Sequence, residues 1–83
     1  MKTKSYWYVY LVKCIDDTIY TGFTSNLKQR ILTHQQGKVK HTSEHLPIEL
    51  LTCIAFTDKN KAYDFEKYLK SGSGKAFSKR RFL

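Results

Sequence analysis

The sequence predicts an α/β domain, a small three-stranded antiparallel sheet flanked by helices, and three observations predict it. Residues 6–14 (YWYVYLVKC) and 19–23 (IYTGF) are aromatic and β-branched runs with Asp16 and Asp17 between them, the pattern of two strands joined by a polar turn. Residues 25–36 and 58–70 carry helix caps and apolar side chains three and four apart. Ile48 to Phe56 is a nearly continuous apolar run opened by Pro47, which suits a third strand. At 83 residues the chain holds one modest core and not two, so residues 1–83 are expected to form one domain.

Register in the hairpin decides which side chains meet, because side chains alternate faces along a strand. A two-residue loop at Asp16 and Asp17 sets Tyr10 opposite Phe23 and turns Tyr20 to the other face. A three-residue loop, Ile15 to Asp17, pairs Cys14 with Thr18 and puts Tyr10 and Tyr20 on one side. No glycine marks the turn, so both registers stay open. Gly22 lies inside the second strand, where glycine is costly unless a backbone or ligand comes close.

The next helix starts at the capping residues Thr24, Ser25 and Asn26 and ends at Gly37. Leu27 and Ile31 face the sheet, and Arg30 and His34 lie one turn apart on an adjacent face, either a solvated flank or a shared anion site. Residues 38–47 (KVKHTSEHLP) read as a loop in which His41 and His45 lack a third metal ligand. The run from Ile48 to Phe56 reads as a strand central in the sheet or buried on both faces.

Asp58 caps the second helix, which Ser71 to Gly74 end. Its apolar stripe is Ala62, Phe65 and Leu69, and Glu66 falls on that stripe. A carboxylate facing a core must be paired, protonated or bound to a metal. A short third helix over 75–81 is expected to pack Phe77 and Phe82 while Lys79, Arg80 and Arg81 face outward.

Composition bounds the class of partner. A hydrophobic content of 41% with 14% aromatic residues belongs to a folded chain. No apolar run reaches the roughly 18 residues of a membrane span. The apolar stretch after the basic Met1 to Ser5 is tyrosine-rich and broken by Lys13, unlike a signal peptide, so a cytoplasmic protein is expected. Cys14 and Cys53 fall in predicted strands without metal-ligand spacing and read as reduced core thiols. Fifteen Lys and Arg against seven Asp and Glu give a net charge of +8, which favours a polyanion without reading its sequence.

Tyr8-Val9-Tyr10, Tyr20-Thr21-Gly22, Asn26-Leu27 with Arg30 and His34, and the helical Glu66 together resemble the GIY-YIG nuclease domain. That domain occurs in the excinuclease C subunit, in homing endonucleases and in small stand-alone bacterial proteins, and the similarity here runs from about Trp7 to Ala76. The resemblance implies a metal-dependent DNA endonuclease of repair or processing, its active surface formed across the sheet and the first two long helices. It implies catalytic roles for Tyr10, Tyr20, Arg30, His34 and Glu66, with Glu66 holding Mg²⁺ or Mn²⁺. Arg30 is then expected on the phosphate, and one of the two tyrosines, or His34, is expected to take a proton from water. A DNA path is expected along Lys13, Gly22, Lys38, Lys40, Lys75, Lys79, Arg80 and Arg81.

The sequence departs from the family pattern at three places. Tyr8 stands for the first Gly and Thr21 for the central Ile, and no Asn follows Glu66, leaving Ser71, Ser73 or Ser78 as stand-ins. Two other classes fit the charge: a nucleic-acid-binding module that has lost cleavage, and a non-catalytic interaction protein. The expected partner is DNA, no membrane is involved, and a monomer is expected.

Overall fold

Strand β1 (Trp7–Lys13) lies between β2 (Ile19–Thr24) and β3 (Glu49–Phe56) and runs antiparallel to both. This is a computed structural model, and it describes residues 5–83; the reading of the basic start, Met1 to Lys4, falls outside them. Helix α1 (Leu27–Gln35) follows the hairpin, and α2 (Lys59–Lys70) and α3 (Gly72–Arg81) follow β3. The α/β class and the three-stranded antiparallel sheet therefore stand as expected.

The place of β3 does not. It is an edge strand, with Leu50 41% exposed and Cys53 exposed, and the fully covered strand is β1, where Val9, Tyr10 and Val12 are 0% exposed. An apolar run signals burial somewhere but not pairing order, and here the first strand takes partners on both sides. Cys53 is accordingly a free thiol at the surface rather than in the core, whereas Cys14, just past the end of β1, is buried.

Alternation along β1 gives the sheet two packed faces. Val9 and Leu11 meet Ala62 and Leu69 of α2, with Phe65, Phe77 and Phe82 packed around them. Tyr10, Val12, Cys14 and Ile48 form the other cluster, closed by Tyr20 and by Leu27 and Ile31 of α1. Asn26 caps α1 by accepting from the Gln29 amide, and Asp58 caps α2 by accepting from Asn60 and Lys61.

Helix α3 begins at Gly72 rather than 75, because Ser71 ends α2 and caps α3 at once, accepting from the Gly74 amide. Gly74 belongs to the helix because the corner admits no side chain: a Cβ there would lie 2.5 Å from the Leu69 Cα and collide with the Tyr68 carbonyl oxygen. The apolar and basic faces of α3 are as expected, with Phe77 and Phe82 in edge contact at 5.5 Å and Lys79, Arg80 and Arg81 exposed. No described helix is long and apolar enough to cross a membrane.

Candidate active site

The site is built from the hairpin turn outward. The Cys14 amide donates to the Thr18 carbonyl at 2.9 Å, and the Asp17 amide donates to the Cys14 carbonyl at 3.0 Å. The loop is thus three residues, Ile15 to Asp17, with Asp17 at φ 67°, a left-handed position that Asp tolerates. Asp16 fixes the turn by accepting from the Thr18 hydroxyl and amide, and those bonds hold its carboxyl below the usual range. This register sets Gly22 opposite Tyr10 and Tyr20 opposite Val12, so the two tyrosines share a face.

Gly22 is buried, and the close approach it permits is that of Tyr10. A Cβ at position 22 would lie 2.5 Å from the Tyr10 Cζ. The Tyr10 ring therefore lies over β2, and its hydroxyl meets α1. Arg30 Nε donates to it at 3.2 Å, and His34 Nε2 lies 2.9 Å from it. The one-turn spacing of Arg30 and His34 brings both to a single oxygen.

His34 is fully buried and continues the series. Its Nδ1 lies 2.8 Å from the Thr42 hydroxyl, which in turn donates to the Val39 carbonyl at 3.4 Å. In the tautomer with the proton on Nδ1, Thr42 accepts from that nitrogen and Nε2 accepts from Tyr10. Burial, and then the Arg30 charge, push the His34 pKa down and favour this neutral form. Burial pushes the Tyr10 hydroxyl up to about 12 despite the Arg30 hydrogen bond, with the Tyr20 and Glu66 charges adding to the rise. Arg30 is pushed up in turn, first by its bond to Tyr10.

Tyr20 stands beside this series, its ring 5.0 Å from that of His34 and 5.8 Å from that of His41. Helix α2 packs Ala62 and Leu69 on the Val9 and Leu11 face, and the charge of its Glu66 reaches Tyr10. The Glu66 side chain is 12% exposed and its carboxylate pairs with Lys70 at 3.2 Å. No group of three metal-ligating side chains occurs among the described residues.

The basic residues are dispersed. Lys13 pairs with Asp17 at 3.1 Å, Lys38 and Lys40 are exposed after α1, and Lys75 lines a cavity with Tyr20. Arg80 and Arg81 line a second hollow with Tyr68 and Phe77. His45 lies 3.1 Å from Asp16 at the turn. Of the three serines, Ser71 is a cap, Ser73 is exposed, and the buried Ser78 hydroxyl has no partner among the described residues. Thr42 escaped the sequence reading, which saw only a polar loop there, and no sequence signal marks it.

The family model described as the GIY-YIG catalytic domain matches residues 6–81. The chain belongs to the GIY-YIG family. Among relatives of this GIY-YIG domain, a UPF0213 protein of Lacticaseibacillus paracasei is 44% identical, over 84% of this chain and 79% of that protein. The UPF0213 protein YsiG of Lactococcus lactis is 38% identical over 77% of this chain, which spans 62% of that relative's length. A UPF0213 protein of Bacillus halodurans, solved by NMR in solution, has 35% identity and a TM-score of 0.56, covering 87% of this chain and 80% of that one. Family membership makes this chain one of a nuclease family.

Proposed function

We propose that this GIY-YIG domain is a divalent-metal-dependent endonuclease that hydrolyses DNA phosphodiester bonds, acting as a cytoplasmic monomer in DNA repair or processing. The observation that carries the reading is the series Arg30, Tyr10, His34 and Thr42, in which each hydroxyl or ring nitrogen has a defined partner. Tyr10 alone is a poor base, because its pKa near 12 keeps it protonated. Bonded to a neutral imidazole, it can take a proton from water as its own proton passes to His34 Nε2. The water oxygen then bonds to phosphorus, the P–O3′ bond breaks, and the departing oxygen takes a proton from solvent. Arg30 holds the phenol oxygen in place through this relay, which leaves Tyr10 neutral and His34 protonated, and bonds the phosphate oxygens with its remaining N–H groups. Tyr20, half-buried beside His34, orients water or phosphate.

A single buried-side carboxylate fits a hard ion that keeps most of its waters, so Glu66 is the residue to hold Mg²⁺ or Mn²⁺, which supplies positive charge at the phosphate and leaving oxygen when bound. The test is incubation of purified protein with labelled branched, single-stranded and duplex DNA, with and without Mn²⁺. Metal-dependent product is expected. Salt-sensitive binding without product would mean a binding module that has lost cleavage, a reading that the Lys70 partner of Glu66 favours.

A further inference from the structure

A cavity of about 550 Å³ opens beside Tyr20, between the β2 segment Ile19 to Thr21 and the corner of α2 and α3. Leu11 and Leu69 give it an apolar lining, and the rings of Tyr20 and His41 border it. Lys75 lines it and makes no ion pair with any described residue, while Lys70 is already paired with Glu66. Ser78 also lines it, only 6% exposed, with its hydroxyl lacking any hydrogen-bond partner among the described residues. An unpartnered buried hydroxyl is costly and calls for a ligand atom to satisfy it.

These features ask for a ligand with a flat apolar body, a hydrogen-bonding edge and an anionic group. We infer that the cavity receives one unstacked nucleotide of the DNA, an inference that rests on the nuclease reading for its choice of ligand. The base lies against Tyr20, His41 and the apolar lining, its polar edge meets the Ser78 hydroxyl, and its phosphate meets Lys75. The volume is that of ordinary small-ligand sites. A paired base stays in its stack, so only an unpaired or extruded nucleotide enters. Tyr20 belongs to both the cavity and the Tyr10 cluster, which puts the captured nucleotide next to the phosphate to be cleaved.

The test needs neither metal nor cleavage. In EDTA, a hairpin duplex with one unpaired adenosine should bind about tenfold more tightly than its fully paired counterpart, the low end of base–aromatic stacking. Thr21→Phe, which fills the cavity from β2, should erase that preference and leave affinity for the paired duplex unchanged. In the wild-type protein, dAMP should shift the amide resonances of Tyr20, Thr21, His41 and Ser78, and inorganic phosphate should leave Ser78 unmoved. No preference in the wild type, a preference that survives in a folded Thr21→Phe, or shifts that phosphate reproduces would each overturn the site. Arg30→Ala, which should stop cleavage, should retain the dAMP shifts, so loss of the nuclease reading and loss of this site are separate results.

Discussion

The Tyr10 hydroxyl stands 2.9 Å from Nε2 of His34, a contact that joins residues 24 positions apart in the sequence. Both side chains are fully buried, and the environment moves their pKa values apart: Tyr10 up, His34 down, each chiefly by desolvation. That divergence keeps the proton on the phenol and the acceptor site open on the imidazole. Proton transfer from phenol to imidazole is then coupled to removal of a proton from water, which is the demand of phosphodiester hydrolysis.

Tyr10→Phe should lower cleavage on the order of 10²-fold or more, the usual worth of a proton-transfer group. Tyr20→Phe should cost less, since its ring neighbours His34 without occupying the series. Single-turnover cleavage, with circular dichroism to check the fold, separates the two. Equal losses, or a larger loss for Tyr20, would reverse the assignment.

The pH profile follows from His34. Unfolded, it takes a proton at its ordinary value of 6.5; folded, it resists until lower pH. Stability from this group is therefore complete above 6.5 and is lost as pH falls through the folded pKa, and cleavage should fall in the same window. Tyr10 acts at the alkaline end: its contribution is complete below its ordinary 10.0 and is lost as pH rises to about 12. Denaturant melts of wild type and His34→Gln across the acid range check this, and the variant should show the flatter acid limb.

Gly22→Ala should both destabilise and inactivate. The new methyl would meet the Tyr10 ring at its Cζ, 2.5 Å away, and push the hydroxyl off Arg30 and His34. Overpacking of this kind costs about 1–3 kcal/mol. A variant with native melting temperature and native cleavage would show that the ring can move aside without consequence.

Glu66→Gln should abolish metal-dependent cleavage while DNA affinity in EDTA stays close to wild type. Lys70→Gln separates the roles of the pair: a half-exposed i,i+4 ion pair contributes roughly 0.3–0.5 kcal/mol, so little stability should be lost. Should Lys70→Gln cut cleavage as deeply as Glu66→Gln, the ion pair and not the bare carboxylate is what matters.

Replacing Lys79, Arg80 and Arg81 by Ala should weaken binding to all DNA sequences alike. All three side chains are exposed on the last turn of α3. The slope of affinity against salt should flatten by up to about three, roughly one for each lost phosphate contact. An unchanged slope would mean that this helix faces away from DNA.

Much of the site was legible in the sequence because it rests on local spacing. Arg30 and His34 are one turn apart whatever the tertiary structure, and the three-residue loop was one of two registers that the hairpin allowed. The choice between them lay in Asp17 taking a left-handed conformation without a glycine, which no composition rule reveals. Thr42 was illegible because its bond to His34 depends on where an aperiodic segment folds back. Glu66 falls on the apolar stripe of α2 by spacing alone, but where that stripe lands depends on how the chain turns back after β3. The start of α3 was misread because glycines at 72 and 74 suggest a break, whereas close helix contact demands one of them.

No described strand pairs with the outer side of β3, a ladder of eight residues whose sole charge is Glu49. Such a rim is a template for another chain, and proteins usually guard it with lysine, proline or a bulge on that strand. Here one local guard is present, a register shift against β1 that leaves Leu51 of β3 without a partner, and a global one adds to it, the repulsion between molecules that each carry +8. Salt shortens the reach of that repulsion, from about 10 Å at 0.1 M to about 3 Å at 1 M. Colloidal behaviour thus depends on the buffer as much as on the fold: concentrated stocks keep best at low ionic strength, and neutralisation by a polyanion brings bare strands within reach of one another.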